Sequence, residues 1–213
     1  MKIEIWSDIM CPFCYIGKRH LEKALEQFES SSPIEIEWKS YQLDPSIPMH
    51  FDEPVNIYEY LADRKGISVE KSKEMHQQVA DMAEKVGLNY RFDHLVVANS
   101  MKAHQLIQLA KEQKKDNEIE EKLFEAYFVE GKNLASESEL VVIGESVGLE
   151  KEAILAALKN DELAYRVRQD TQEGVSLGLK GVPFFVFNRR YGIPGAQPLE
   201  VFIDTLRQAA EHD

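Results

Sequence analysis

The feature that most constrains the fold is a short strand that leads into a helix, with both cysteines of the chain at the junction. The first residues alternate apolar and charged side chains, which predicts a strand over residues 3–6. From residue 11 or 12 to about residue 29, apolar residues recur at helical spacing. A break at residues 30–33 and a second alternating segment at 34–43 complete a predicted β-α-β opening.

The rest of the chain divides into a long helical stretch and a short mixed end. In the helical stretch, glycines lie at or near the breaks and no strand is predicted. Helices are predicted there at residues 57–65, 69–86, 99–112, 119–129, 137–147 and 151–159. The end of the chain has the predicted order helix, strand, strand, helix, at residues 161–177, 182–187, 191–193 and 198–210.

Without the helical stretch, the element order is βαβ-αββα, which is the thioredoxin topology. The predicted fold class is therefore α/β, a thioredoxin fold interrupted by an inserted all-α helical domain. The predicted domains are a first thioredoxin-like part (β-α-β) at residues 1–50, the helical domain at 51–163 and a second thioredoxin-like part (α-β-β-α) at 164–213.

Charge and hydropathy argue against several classes of partner. The net charge is -12 at pH 7, and an acidic chain repels nucleic-acid phosphates and anionic lipid headgroups. No apolar run reaches the roughly 20 residues that a membrane-spanning helix needs. The first residues lack the basic head and the long apolar core of a secretory signal. We therefore expect a cytoplasmic protein that binds neither nucleic acid nor membrane.

The cysteine pair predicts redox chemistry. Cys11 and Cys14 are the two cysteines of the chain, and Pro12 and Phe13 separate them. A helix start stabilises an anion through its unpaired N–H groups and partial positive charge, so Cys11 is predicted to be an exposed thiolate nucleophile. Cys14 lies one helical turn further on. It is predicted to be the resolving thiol, which attacks the mixed disulfide on Cys11 and releases the reduced substrate.

A zinc site and two inert thiols are the alternative interpretations of the pair. Structural zinc takes a tetrahedral set of Cys and His ligands. The six histidines form no HxxxH pair, so zinc would need ligands from unrelated segments. Inert thiols leave unexplained the spacing, the intervening proline and the strand-to-helix junction. Redox chemistry without a metal is the preferred hypothesis.

Val182 and Pro183 form the second predicted element of the site. Proline lacks the N–H that a sheet ladder needs, so its place in an apolar strand segment suggests a purpose. A cis peptide bond at the strand start is one such purpose, and it would present the Val182 backbone to a bound chain. An ordinary strand-opening proline is the alternative.

Four segments of the sequence resemble the DsbA family, most closely its cytoplasmic FrnE-like branch. They are residues 5–17 (IWSDIMCPFCYIG), 99–104 (NSMKAH), 181–188 (GVPFFVFN) and 193–197 (IPGAQ). The resemblance implies a thioredoxin fold with a helical insertion, a cis Pro183, and dithiol exchange at Cys11 and Cys14. The implied substrates are proteins or small molecules that contain a disulfide or a thiol.

The same branch includes enzymes that resemble 2-hydroxychromene-2-carboxylate isomerase and kappa-class glutathione transferase. Those enzymes have a serine in place of Cys11 and use it to hold a glutathione thiolate. A glutathione-dependent isomerase or transferase of small electrophiles is therefore the second functional hypothesis, and a non-catalytic peptide-binding chaperone is the third. No bound cofactor is expected, and glutathione is the candidate reductant or co-substrate. Oligomeric state is open, with a homodimer as one alternative.

The resemblance also adds weaker site candidates. Residues 99–104 resemble a segment that lines the active site in that branch, so the predicted substrate-binding residues are Pro12, Phe13, Val182, Pro183, Asn99 and His104. A helix cap is the alternative for Asn99, and a packed or surface histidine is the alternative for His104. Glu4 is a candidate acid below the cysteines that would accept a proton from the resolving thiol, although a solvent-edge glutamate is the preferred interpretation.

Phe13 departs from the periplasmic relatives, which have histidine before the second cysteine. Phenylalanine supplies no cation, so the Cys11 thiolate should be less stabilised and the disulfide less oxidising. Equilibration with glutathione is expected to give a potential more negative than the about -120 mV of the strongest oxidant in that family. A measured potential at or above that figure would contradict the prediction.

Overall fold

The described part of the chain, residues 1–30 and 33–211 of a computed structural model, divides into two compact units. The α/β unit comprises residues 1–43 and the residues from 161 onward, and the helical unit comprises residues 44–160. The predicted domain boundaries at residues 50 and 163 lie a few residues beyond these divisions. Residues 31 and 32 of the predicted break, and residues 212 and 213 of the last predicted domain, lie outside the described residues.

The helices and strands follow the predicted order. They are β1 (Lys2–Ser7), α1 (Pro12–Glu26), β2 (Glu35–Ser40), α2 (Ile57–Lys65), α3 (Val69–Glu84), α4 (Met101–Glu112), α5 (Asp116–Phe124), α6 (Glu137–Ser146), α7 (Lys151–Ala157), α8 (Asp161–Ser176), β3 (Phe184–Phe187), β4 (Tyr191–Pro194) and α9 (Leu199–Ala210). Helix α1 ends earlier than predicted, and the predicted strands at 34–43 and 182–187 are shorter in the structure.

The four strands found in the described residues form a mixed sheet in the order β2-β1-β3-β4. Strands β1 and β2 are parallel, whereas β1 with β3 and β3 with β4 are antiparallel. In this register Ile5 of β1 lies opposite Trp38 of β2 and Phe185 of β3. Because side chains alternate along a strand, the odd-numbered and even-numbered residues of β1 face opposite sides of the sheet.

Each side of β1 has its own helical cover. On the odd side, Phe185 packs edge-to-face against Phe202 of α9, with ring centroids 4.9 Å apart. On the even side, the indole N–H of Trp6 donates to the Asp170 carbonyl of α8 at 2.7 Å. A Cβ on Gly174 of α8 would lie 2.9 Å from the Trp6 ring, so the glycine permits this close approach. The central strand is therefore buried on both sides.

Glu4 is not the solvent-edge glutamate that the sequence suggested. It is only 1% exposed, and both of its carboxylate oxygens accept hydrogen bonds from the guanidinium of Arg189, which follows β3. Arg189 also donates to Glu173 of α8 at 2.6 Å. Glu4 has an even position in β1, so it lies on the α8 side of the sheet, where burying its charge requires this partner.

The helical unit holds α2 to α7 and two short segments that the periodicity did not predict. Phe92–His94 forms a single 3-10 turn, and the predicted helix over residues 119–129 is α5 followed by a π-helical turn at Glu125–Val129. The π turn brings Phe128 against Tyr90 and Phe92, with ring centroids 4.7 and 6.3 Å away. None of the helices in the described residues combines the length and the hydropathy that a transmembrane span requires.

Glu173, which shares Arg189 with the buried Glu4, makes the stability of the fold depend on pH in the acid range. Burial alone would raise the pKa of Glu173, but hydrogen bonds from Arg189 and Lys39 hold it below its usual value. A lowered folded-state pKa gives stability above the unfolded-state pKa, and this stability is lost as the pH falls through the folded-state value.

Replacing Arg189 by methionine tests this cluster, because the variant leaves the buried Glu4 carboxylate without its guanidinium. The free energy of unfolding should fall by about 3 kcal/mol at neutral pH, and the difference from wild type should narrow as acidification removes the Glu173 contribution. Urea unfolding at several pH values measures both effects. Arg190→Met is the matched control, since the Arg190 guanidinium lies 5.8 Å from the Tyr191 ring and should contribute about 1 kcal/mol or less. Equal losses in the two variants would contradict the assignment.

Candidate active site

The candidate site begins at the start of α1. Cys11 is the N-cap residue, with an extended backbone (φ -94°, ψ 110°), and Pro12 is the first helical residue. The Cys14 N–H donates to the Cys11 carbonyl at 3.0 Å, which sets Cys14 one turn along the helix. The Cys11 sulfur therefore lies at the end of the helix where backbone N–H groups are unpaired and the dipole favours an anion.

Asp8 shapes the loop that leads into the helix. Its carbonyl accepts from the Cys11 N–H at 2.9 Å, and its carboxylate accepts from the N–H groups of Met10 at 3.1 Å and Leu43 at 2.7 Å. The carboxylate is buried and satisfies two backbone donors of the α/β unit. Sequence reasoning did not identify Asp8, although an aspartate in a short strand-to-helix loop is a common signal for this kind of turn.

Val182 and Pro183 lie against the cysteine pair. The Cys11 Sγ is 3.5 Å from the Val182 carbonyl oxygen, to which the thiol donates. The Val182–Pro183 peptide bond is cis. Cys11 is only 5% exposed, so the prediction that its sulfur is exposed to solvent is wrong. The loop before β3, which sequence spacing could not position, covers the thiol.

Gly17 allows this approach of the loop to the helix. A Cβ at Gly17 would lie 3.0 Å from the Phe185 ring and 3.2 Å from Pro183 Cγ, which is tighter than ordinary contact. The absence of a side chain on this turn of α1 therefore lets the helix contact the first residues of β3 and the proline before them.

Phe13 and Pro12 provide the apolar surface beside the thiols. Phe13 is 37% exposed and Pro12 is half-buried, whereas Cys14, the next residue, is 1% exposed. An exposed aromatic ring beside a reactive sulfur can contact an apolar residue of a bound chain.

The surroundings of Cys14 oppose its ionisation. Burial raises the pKa of the Cys14 thiol well above its usual value, and a hydrogen bond and charge repulsion from Cys11 raise it further. The Asp8 backbone N–H and the Ser7 hydroxyl favour the thiolate and lower the pKa, but by less than the opposing effects. Cys14 is therefore a protonated thiol at neutral pH when its partner is not engaged.

Asn99 and His104, the weaker candidates, belong to the helical unit. The Asn99 side chain donates to the Ile47 carbonyl at 2.5 Å and accepts from the Met101 N–H at 2.9 Å. Asn99 therefore accepts from an N–H of the first turn of α4 although Ser100 is the N-cap residue, and it also holds the loop at residue 47. His104 is fully buried within α4.

Metal ligands are not grouped in the part of the chain that the structure describes. Among residues 1–30 and 33–211, no cluster of three or more His, Cys, Asp or Glu side chains could hold a metal ion. Two carboxylates lie near the cysteine pair in sequence. Glu4, within β1, is paired with Arg189, and Asp8, directly after β1, accepts hydrogen bonds from backbone N–H groups.

The family follows from the whole chain. Residues 2–207 match the family described as the DSBA-like thioredoxin domain. The chain belongs to the DsbA-like thioredoxin family. Its predicted fold class, a thioredoxin fold with a helical insertion, is thereby confirmed, and its family is one of thiol–disulfide oxidoreductases.

Similar proteins span all or nearly all of this DsbA-like chain. A probable DsbA oxidoreductase from Streptomyces coelicolor is 34% identical and superposes with a TM-score of 0.93, over 100% of this chain and 91% of that one. The uncharacterized protein YwbO of Bacillus subtilis is 29% identical over 94% of this chain and 92% of its own length.

More distant solved structures share the fold. The cytosolic disulfide reductase DsbM of Pseudomonas aeruginosa has a TM-score of 0.71 at 16% identity, with full coverage of both chains, and it has also been solved with GSH. A 2-hydroxychromene-2-carboxylate isomerase has a TM-score of 0.71 at 18% identity, again with full coverage of both chains. At these identities the likeness establishes the architecture of the DsbA-like chain and no activity.

Filling the space at Gly17 should disturb the site. Gly17→Val places a branched side chain against the Phe185 ring and Pro183, so we expect the free energy of unfolding to fall by about 2 kcal/mol and Cys11 to react more slowly with a disulfide. Urea unfolding and the rate of mixed-disulfide formation are the measurements. Gly181→Ala is the control for stability, because a Cβ there meets nothing within 4 Å. Unchanged stability in Gly17→Val would show that α1 does not pack this closely on β3.

Proposed function

We propose that this protein is a cytoplasmic, FrnE-like thiol–disulfide oxidoreductase or isomerase that uses Cys11 as nucleophile and Cys14 as resolving thiol. The observation that carries the proposal is the asymmetry of the pair. Cys11 caps the helix start beside the Val182 carbonyl, whereas burial raises the pKa of Cys14 and keeps it protonated. Such a pair suits two successive thiol–disulfide exchanges, because the thiol at the helix start attacks the substrate first and the protonated thiol attacks the mixed disulfide second.

The proposed reaction has two exchanges. In the first, the Cys11 thiolate attacks one sulfur of a substrate disulfide, that disulfide breaks, and a substrate thiolate leaves. In the second, Cys14 loses its proton and attacks the Cys11 sulfur, which breaks the mixed disulfide and releases the second substrate thiolate. The substrate gains two electrons, and the enzyme retains a Cys11–Cys14 disulfide. Glutathione is the reductant that we propose would restore the dithiol, by the same exchange chemistry.

The proposed substrate is an extended peptide segment that carries a disulfide. The backbone at Val182, beside Pro183, lies next to Cys11, where an added chain could pair with it. Phe13 and Pro12 offer apolar contact on the helix side. The net charge of -12 favours neither nucleic acid nor anionic membrane as a partner.

A trapping experiment tests the proposal. Cys14→Ser should lose multiple-turnover reduction of a disulfide-bonded peptide and accumulate a mixed disulfide between Cys11 and the peptide, because nothing resolves it. Cys11→Ser is the matched control, and it should fall to the background rate without trapping anything. Turnover is followed by thiol release, and trapping by intact-protein mass before and after reduction. Cys14→Ala expressed in cells should capture the physiological partners by the same chemistry.

Two other outcomes would replace the proposal. Glutathione-dependent conversion of a small electrophile that persists in Cys14→Ser would favour the isomerase or transferase hypothesis, which needs one group at position 11. Peptide binding that survives loss of both cysteines, in a protein whose wild-type form gives no turnover, would favour the chaperone hypothesis.

A further inference from the structure

Residues 193–197 (IPGAQ), one of the segments that resemble the DsbA family, have no part in the proposed exchange steps. The segment begins in β4 and runs into the loop before α9. Within it, the Gln197 side chain donates to the Pro194 carbonyl at 2.7 Å. Gly195 has a φ of 76°, in the left-handed region that favours glycine. The segment therefore ends in a short turn that bonds back on itself at the end of β4.

This loop is bonded to the residues that lead into β3. The Gly195 N–H donates to the Pro183 carbonyl at 2.7 Å, one position beyond the pair that Phe184 forms with Pro194. The bond extends the β3–β4 ladder by one residue. It also engages the only hydrogen-bonding group of the Pro183 backbone, because proline has no N–H. The position of Pro183 therefore depends on the loop.

His20 of α1 holds the loop from the other side. Its Nδ1 lies 2.6 Å from the Gln197 carbonyl oxygen. A carbonyl only accepts, so the ring nitrogen donates, and this fixes the proton on Nδ1. The ring also packs edge-to-face against Phe202 of α9, with centroids 6.3 Å apart. Helix α1 thus reaches Pro183 in two ways, directly beside Gly17 and through the bond from His20 to the loop.

The backbone that these contacts place is that of Val182. Its carbonyl oxygen lies 3.5 Å from the Cys11 sulfur. Within the described residues, the Val182 N–H makes no hydrogen bond, so it is available to a bound chain. An extended peptide supplies the carbonyl that such an N–H needs, whereas a small disulfide without an amide group does not. A displacement of Val182 therefore costs a peptide substrate more than a small one.

We propose that His20 is a positioning residue that makes this protein select extended peptide disulfides over small ones. By donating to the Gln197 carbonyl it fixes the loop, and the loop in turn holds Pro183 and the Val182 backbone beside Cys11. This inference rests on the proposed function, because it assumes that Cys11 attacks a substrate disulfide. The bonds that form and break are those of the first exchange, and His20 has no covalent or proton-transfer part in it.

A comparison of two substrates tests the inference. The rate constant for mixed-disulfide formation is measured on a Cys14→Ala background, once with a disulfide-bonded extended peptide and once with hydroxyethyl disulfide, which has no amide. In His20→Gln, the ratio of the peptide constant to the hydroxyethyl disulfide constant should fall about fivefold, because a hydrogen bond that orders the peptide-binding backbone is lost. The Gly195 amide should exchange with solvent about fivefold faster, since its bond to Pro183 weakens.

Two amide side chains separate the hydrogen bond from simple packing. The amide nitrogen of asparagine is as many bonds from the backbone as the imidazole Nδ1, so His20→Asn should restore both the substrate ratio and the Gly195 exchange rate. The amide nitrogen of glutamine is one bond further out, so His20→Gln should restore neither. Lys23→Gln, at an exposed position of the same helix, is the matched control and should change neither quantity.

A second variant acts on the loop without changing α1. Gln197→Ala removes the 2.7 Å bond to the Pro194 carbonyl and keeps the backbone carbonyl that His20 binds. The substrate ratio should fall in the same direction as in His20→Gln, so the test stays usable if a His20 variant does not fold. Urea unfolding of each variant shows that the proteins compared are folded under the assay conditions.

The outcomes distinguish this inference from the proposed function. An unchanged ratio or an unchanged Gly195 exchange rate in His20→Gln, equal values in His20→Asn and His20→Gln, or the same fall in Lys23→Gln would overturn the role of His20 and leave the dithiol mechanism standing. Failure of the Cys14→Ala protein to form a mixed disulfide with either substrate would overturn the proposed function itself.

Discussion

The contact between the start of α1 and the segment that leads into β3 holds the candidate site together. Gly17 has no side chain, so the helix approaches Pro183 and Phe185 closely, and the Val182 carbonyl comes within 3.5 Å of the Cys11 sulfur. These residues are distant in sequence, and the sheet order β2-β1-β3-β4 makes them neighbours, because β1 and β3 pair directly. Cys11, the proposed nucleophile, and the backbone proposed to receive a substrate therefore depend on one packing contact.

Strand β1 separates two electrostatic environments. On the α8 side, Glu4 is neutralised by Arg189, and Lys39 is surrounded by Asp170, Glu37 and Glu173. On the α1 side, burial and Cys11 raise the pKa of Cys14, and the cations of α1, Lys18 and Arg19, are paired with Glu22. Dithiol exchange needs a buried thiol that ionises only when its partner is engaged, and a nearby unpaired carboxylate or ammonium would disturb that balance.

Much of the fold was predictable from local patterns. The bounds of α2 match the prediction at both ends, and α4, α6 and α9 begin or end within a few residues of it, because caps, glycines and helical periodicity are local signals. The 3-10 turn at Phe92–His94 and the π turn at Glu125–Val129 were missed. Both lie in an aromatic cluster whose packing sets the backbone, so no local pattern reveals them.

By itself, the sequence determined the element order, the thioredoxin topology and the position of the cysteine pair at a strand-to-helix junction, since each depends on residues close together in the chain. The tertiary structure alone decided that Glu4 is buried in an ion pair, that the Val182 carbonyl covers Cys11, and that the Cys14 thiol is buried. The physical reason is that burial and partnership depend on which face of β1 a residue occupies and on which distant segment packs there. The residues of a short strand and of the loop after it do not by themselves show which face each side chain takes or which distant segment packs on it.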